Sequence, residues 1–299
     1  MSAPRRPPRR AVDGVLLLDK PTGITSNAAL QTARRLFNAA KAGHTGTLDP
    51  LATGLLPLCF GEATKFAGQL LDADKEYQAE LQLGITTDSG DADGKVLERR
   101  TVAAARADVE ALLPRLSGAV LQVPPMHSAL KRDGRPLYEY ARAGIEVERQ
   151  ARPVTIHALE LTGFAGDSLS LRVACSKGTY VRTLAEDIGR LLGCGAHLSA
   201  LRRTRLGSLG VDAAVTLEQL ERTAADDRPA LLRPVDSLLG DLPAVRLDDQ
   251  PTRLFLHGQA VACDVLPAGR VRVFAGARFL GLGEADGHGR LQPKRLVAG

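Results

Sequence analysis

The residues best suited to chemistry lie in Gly43-His44-Thr45-Gly46-Thr47-Leu48-Asp49-Pro50-Leu51-Ala52-Thr53-Gly54. Three glycines, three threonines, one histidine and one carboxylate share these twelve positions. Glycine admits positive φ and lets another molecule approach the backbone. Pro50 disfavours helix at Asp49 and holds it extended or in a turn. The apolar run Leu55-Leu56-Pro57-Leu58-Cys59-Phe60 that follows reads as a buried strand. Asp49 is therefore expected on a stiff, glycine-lined loop at the lip of a core element. From there a carboxylate can serve as nucleophile or as base. The plain alternative is a turn residue whose side chain bonds nearby N–H groups.

Other elements must hold that loop in place. Residues 12–20 form an apolar run ending in Lys20, and Pro21-Thr22-Gly23 makes a turn. Ser26 is expected to cap a helix carrying Ala29, Leu30, Ala33, Leu36, Phe37 and Ala40 at helical spacing. A second helix is expected over 62–72. Residues 74–84 alternate polar and apolar, which predicts a strand with one wet face, and this strand carries Tyr77. Residues 88–94 have the acidic look of a calcium loop. Ser89 at its first position and Arg100 at its twelfth break that template, so the reading is an acidic turn without metal. Residues 104–118 read as an amphipathic helix.

Residues 124–152 read as an excursion from the core, with Pro136 and Gly144 bracketing a short helix. Lys131, Arg132, Arg142, Arg149 and Arg152, interleaved with tyrosines, suit a polyanion. Residues 153–163 and 168–176 read as an antiparallel hairpin. A helix with Val181, Leu184, Ile188, Leu191 and Leu192 on one face follows. Arg182 in its first turn is poorly placed for the helix dipole, so it is expected to answer a carboxylate. Residues 196–209 contain Leu201, which by itself reads as core. Thr216 opens a short helix, and residues 228–245, with Pro229, Pro234 and Pro243, read as a linker or strap. From Arg246 the chain turns to short strands with glycine turns, as in a small β-barrel.

Composition narrows the class of protein. The chain has 299 residues, net charge +5 and pI about 9.2, a balance that favours an acidic partner such as nucleic acid. No run of about 18 apolar residues is present, so no membrane span is expected. The basic residues at 4–10 lack a following apolar segment and read, over 1–10, as a disordered arm rather than a secretory signal. Cys59, Cys175, Cys194 and Cys263 form no Cys-x-x-Cys pair, which argues against a zinc site and fits a reducing cytoplasm.

The whole string 43–54 resembles the catalytic motif of the TruB-type tRNA pseudouridine synthases, as does Lys20-Pro21-Thr22-Gly23-Ile24-Thr25-Ser26. The resemblance runs from about residue 11 to the C-terminus. It implies an α+β fold: a central, mostly antiparallel mixed sheet flanked by helices, over 11–245, with a thumb insertion at 124–152 and a PUA-like β-barrel at 246–299. It implies Asp49 as the essential catalytic residue, Arg182 as its ion-pair partner, and Lys20 and Pro21 as buttresses of the loop. It implies substrate-binding roles for Tyr77, which stacks on the target base, for Tyr180 in the uridine pocket, for Leu201 against the nucleotide, and for His44. His44 fills the gap left by a flipped nucleotide or stacks within the RNA loop; the plain alternative is a histidine that stabilises its own turn. The expected substrate is the T arm of tRNA, modified at the T-loop uridine of position 55, with no obligate protein partner.

Pseudouridine formation detaches uracil from ribose C1′, turns it and rejoins it through C5. It is an isomerisation and requires no cofactor. It does require an extruded base, a carboxylate near C1′ or C2′, an aromatic face and dry walls. The rival reading is an RNA-binding protein or tRNA folding chaperone on the same fold without turnover. Release of tritium from C5-labelled uridine separates the two. Gly61-Glu62-Ala63-Thr64-Lys65 lacks phosphate-loop spacing, which removes a phosphoryl-transfer enzyme.

Overall fold

Strands Gly14–Lys20 and Thr53–Phe60 are almost wholly buried, and they pair antiparallel from Gly14↔Phe60 to Lys20↔Gly54. Side chains on a strand alternate between faces. Leu16, Leu18, Leu56, Leu58 and Phe60 therefore enter one core cluster, while Val15, Leu17, Leu55 and Cys59 enter another on the opposite face. A strand buried on both sides reads as a continuous apolar run, and that is why these two lack alternation in the sequence.

The computed structural model describes residues 8–264 and 266–298. Its main sheet has ten strands. From one edge the order is Val215–Thr216, Gly14–Lys20, Thr53–Phe60, Ala196–Leu206, Lys75–Leu83, Ser168–Cys175, Arg152–Ala165 and Gly118–Gln122. Ala42–His44 pairs beside Thr53–Phe60, and Leu209–Gly210 beside Ala196–Leu206. Most pairings are antiparallel. Two are parallel: Gly14–Lys20 with Val215–Thr216, and Thr53–Phe60 with Ala196–Leu206. The larger core holds Ala29, Leu30 and Ala33 of helix Ser26–Leu36 and Leu184, Ala185 and Ile188 of helix Val181–Leu191. The result is a mixed α+β architecture.

The second parallel pairing is very short, Arg202↔Thr53 and Arg203↔Gly54, and it is close. A Cβ on Gly54 would lie 2.3 Å from Arg203 O. With φ at +96°, Gly54 has both the conformation and the bareness that this contact demands.

Several sequence expectations are corrected. Thr25, not Ser26, caps the first helix, its hydroxyl accepting from Ala28 N–H at 3.1 Å. Residues 62–72 are not one helix but a 3₁₀ segment, Gly61–Lys65, followed by the short helix Ala67–Leu71. Residues 104–118 likewise divide into helix Arg106–Leu112 and 3₁₀ turn Leu113–Leu116, where Pro114 removes an amide donor. Residues 228–245 are more than a linker: Leu238 and Leu239 are buried in the second core. Residues 1–7 of the expected disordered arm lie outside the described residues. Pro8 to Arg10 are held against the end of the first helix, with Arg10 N–H donating to Asn38 O at 2.8 Å and Ala40 N–H to Arg10 O at 2.9 Å.

The C-terminal sheet has five strands in the order Ala244–Arg246, Gly269–Ala275, Arg278–Ala285, Arg290–Leu296 and Val261–Ala262. Among the described residues its two outer strands do not pair with each other, so the expected barrel is an open half-barrel. It has its own core of Phe255, Val271, Val273, Leu280 and Leu291. Leu282 nevertheless sits in the cluster that holds Phe66 and Leu70, and the Phe66 and Phe279 rings meet edge-on at 5.5 Å. Lys65 Nζ donates to Leu296 O at 3.1 Å across the same seam.

This shared core predicts coupled unfolding. Leu282→Ala is expected to cost about 2–5 kcal/mol and to lower one common transition in calorimetry. A separate early transition of the C-terminal sheet alone would contradict the seam.

Candidate active site

The Asp49 loop is fastened from beneath by the turn that follows the first strand. Lys20 is fully buried at that strand's end, and its Nζ donates to Pro21 O and Ile24 O at 2.8 Å each and to Pro50 O at 3.4 Å. The Lys20 ammonium is lowered to about 8, chiefly by burial and against the opposing pull of neighbouring Asp49. Gly23 N–H donates to Pro50 O at 2.8 Å, and Thr22 Oγ1 to Leu51 O at 3.1 Å. Ser26, free of capping duty, serves the loop: its Oγ donates to Leu48 O at 2.9 Å and accepts from Leu48 N–H at 2.8 Å. Ala52 N–H closes the turn onto Asp49 O at 3.1 Å.

Arg182 meets the loop from the other side. Its Nη2 lies 3.1 Å from Asp49 Oδ2, and its Nη1 lies 3.6 Å from Asp91 Oδ2. The same guanidinium donates to Ser89 O at 3.1 Å and to His127 O at 2.7 Å. Arg182 and Asp91 are buried, whereas the Asp49 side chain keeps 44% of its exposure. Asp49 is thus fixed yet reachable. Burial pushes its carboxyl above its ordinary value, Arg182 is the strongest influence in the other direction, and Asp91 adds to the rise. Arg182 therefore tempers the burial of Asp49 rather than overriding it.

Two tyrosines converge here. Tyr77 is buried on strand Lys75–Leu83, and Tyr180 is half-buried just before helix Val181–Leu191. Burial raises both phenols, and Asp49 is near enough to raise each further. Tyr180 N–H donates to Gln122 Oε1 at 3.0 Å, which ties it to the base of the excursion. Leu201 is half-buried against the larger core, and its carbonyl accepts from Thr53 Oγ1 at 3.4 Å. His44 ends the short strand Ala42–His44, opposite Leu58. Its Nδ1 is buried and, among the described residues, has no hydrogen-bond partner. Burial, then Arg203, push its pKa down, so the ring is neutral near pH 7. Pro21 is exposed and contributes its carbonyl to Lys20.

The excursion is built of a small hairpin, Lys131–Arg132 with Arg135–Pro136, and helix Leu137–Arg142. Lys131, Arg132, Arg142 and Arg152 are exposed, and Arg142 lies over the Tyr138 ring at 5.4 Å. Arg149 is half-buried and donates to Val147 O at 3.2 Å and Pro124 O at 3.3 Å, and exposed Arg132 also donates to Glu148 O, inside the excursion. The chain segment reaches the Asp49 cluster through the His127 carbonyl.

Sequence reading missed Asp91, Gln122 and Arg203. Asp91 was hidden among acidic turn residues, and Gln122 carried no signal. Arg203 sits in the run Arg202-Arg203-Thr204-Arg205, which looks solvated. Its only signal is a charge inside a strand otherwise patterned for burial. Ser26→Ala would leave the buried Leu48 N–H and C=O unpaired and is expected to cost about 1–3 kcal/mol. An unchanged urea midpoint would contradict the tether.

Comparisons with known proteins agree along the chain. The family described as "TruB family pseudouridylate synthase (N terminal domain)" matches residues 34–181. "tRNA pseudouridylate synthase B C-terminal domain" matches 182–240, and "Pseudouridine synthase II TruB, C-terminal" matches 243–297. A protein of Aromatoleum aromaticum named tRNA pseudouridine synthase B is 64% identical over 290 residues, covering 97% of this chain and 94% of that protein. The protein of the same name from Azoarcus sp. strain BH72 is 60% identical over 294 residues, covering 98% of each. Among solved structures, a chain of the Cbf5-Nop10-Gar1 complex superposes with TM-score 0.71 at 27% identity, over 91% of this chain and 78% of that one. An H/ACA RNP bound to a substrate RNA containing 2′-deoxyuridine shares the fold, with TM-score 0.73 at 24% identity, over 96% of this chain and 85% of that one. With its pinned loop, its braced carboxylate and these matches over nearly its whole length, the chain belongs to the TruB family of pseudouridine synthases.

Proposed function

We propose that this enzyme converts the T-loop uridine at position 55 of tRNA to pseudouridine, with Asp49 acting on the ribose of an extruded nucleotide. One observation carries the reading: a carboxylate that meets a buried guanidinium at 3.1 Å and is still open to an incoming group, with Tyr77 and Tyr180 near enough for its charge to raise both phenols. The reaction breaks N1–C1′ and forms C5–C1′. N1 gains a proton and C5 loses one, so the isomerisation needs no cofactor. Asp49 supplies either the nucleophile at C1′ or the base at C2′. Tyr77 and Tyr180 give the freed uracil aromatic walls, Leu201 closes the pocket, and Lys20 and Pro21 keep the loop rigid.

The excursion at 124–152 acts as a thumb on the T arm through Lys131, Arg132, Arg142 and Arg152. Arg149 holds that thumb together. The open half-barrel supplies a second RNA surface. We place the enzyme in the cytoplasm with its tRNA and without an obligate protein partner. Among the described residues no helix is long and apolar enough to cross a membrane.

Asp49→Asn is expected to abolish tritium release from C5-labelled tRNA while leaving tRNA affinity within about tenfold (~1.4 kcal/mol). Lost binding would overturn the assigned role, and mapped pseudouridine elsewhere than the T loop would overturn the site. The acid limb of turnover should lie above the usual aspartate range of about 3.9, because the carboxyl is raised and its ionised form falls away as pH drops through that value. Arg182→Lys weakens the strongest influence that holds the carboxyl down, so the limb should move to higher pH. A fixed limb would show that Asp49 does not set it.

A further inference from the structure

Among the described residues, Arg203 heads the large side chains with less than 2% of their surface exposed. Arg182 and Arg202 have carboxylate partners, Asp49 and Asp91 for the first and Asp19 for the second. Among the described residues Arg203 has none. Burying a cation costs several kcal/mol unless other groups replace its water. What replaces it here is backbone from the site: Arg203 Nε donates to Leu55 O at 2.7 Å, and Nη2 to Gly46 O at 3.3 Å. Those carbonyls flank Asp49 on either side in the chain. On its other strand neighbour, Arg203 stands directly opposite Tyr77 in antiparallel register.

We infer that Arg203 is a positioning residue of the reaction: one buried guanidinium clamps both ends of the Asp49 loop and orients the phenol that faces it across the strand pair. Gly54 is the counterpart on the loop's side, since only a residue without Cβ lets the Thr53–Phe60 strand lie against the Arg203 backbone. The electrostatics agree with the geometry. Burial raises the Tyr77 phenol, and Arg203 is the first influence to oppose it, with Cys175 and Asp49 acting the other way. After burial, the same cation also helps lower His44 and Lys75, and it helps lower Lys20 against the pull of Asp49. Arg203 thus favours negative charge on the ring side of the pocket. That is the side where uracil is freed from the sugar, an inference that rests on the function proposed above.

The test separates this role from a merely structural one. Enzyme containing 3-fluorotyrosine at its four tyrosines is followed by fluorine NMR, with the Tyr77 resonance assigned by Tyr77→Phe. Arg203→Lys keeps the charge but loses the fork, and Arg203→Met loses both. Both variants should shift the Tyr77 resonance while leaving those of exposed Tyr138 and half-buried Tyr140 in place. Arg203→Lys should slow single-turnover pseudouridine formation by about 10²-fold, the scale of a 1 Å misplacement. Its tRNA affinity should stay within about threefold, or ~0.7 kcal/mol, because the side chain does not reach the surface. If Arg203→Met does not fold, Arg203→Lys alone carries the test. An unmoved Tyr77 resonance, or weakened affinity with an intact rate, would overturn the inference. The resonance is read on free enzyme, so the clamp is tested even if Asp49→Asn should retain turnover and the functional reading fail.

Discussion

A guanidinium taken out of water needs partners for its donors, and Arg182 finds them on three separate segments. Asp49 comes from the glycine-rich loop, Ser89 and Asp91 from the acidic turn, His127 from the excursion, and Arg182 itself from the helix. The acidic turn and the end of the Asp49 loop are each also tied to strand Ala196–Leu206, through Ala92 N–H to Leu198 O and through the Arg202↔Thr53 pairing. The cation joins them at one point. It meets the carboxylate and, at the same time, the excursion at the His127 carbonyl. The position of the excursion and the orientation of Asp49 thereby share one side chain.

Around that cation the fold works by two-sided strands. The Gly14–Lys20 and Thr53–Phe60 pair divides its side chains between the helical core and the core shared with the C-terminal sheet. Both strands end at the site: the first delivers Lys20, and the second begins immediately after the loop. Close packing on both faces leaves these strands no room to slide, because interiors are packed as densely as organic crystals. The loop inherits that rigidity. Its remaining freedom is removed by hydrogen bonds from Lys20, Thr22, Gly23 and Ser26.

The sequence discloses this site unevenly, for physical reasons. Asp49, Arg182 and the strand of Tyr77 are legible, because turn chemistry, a cation at the wrong end of a helix dipole and period-two alternation are local signals. The family resemblance then supplies the meeting of Asp49 with Arg182. Ser26 is misread because a serine before a helix is so often a cap; here Thr25 takes the cap and releases Ser26 to Leu48. Arg203 and Asp91 are invisible because burial of a charge depends on pairings far apart in sequence, Arg203 with Leu55 and Gly46, Asp91 with Arg182. The buried Leu238 and Leu239 are missed for a similar reason: prolines mark where regular structure stops, not where apolar contact does.

A network of buried charges is seldom the stable choice. Replacing such groups with well-packed apolar residues is often neutral or stabilising, whereas removing one partner is strongly destabilising. Arg182 with its two carboxylates, Lys20 with its three carbonyls and Arg203 with no carboxylate at all therefore make poor sense as a stability device. Their common property is direction. Each holds a carbonyl or carboxylate at a fixed angle to the loop, which an apolar contact cannot do. The burial that makes these cations costly also raises the carboxyl they surround. Asp49 therefore sits at a balance: part-exposed, raised by burial, and held back by Arg182 and Lys20. That balance ties the cost of the network to its use.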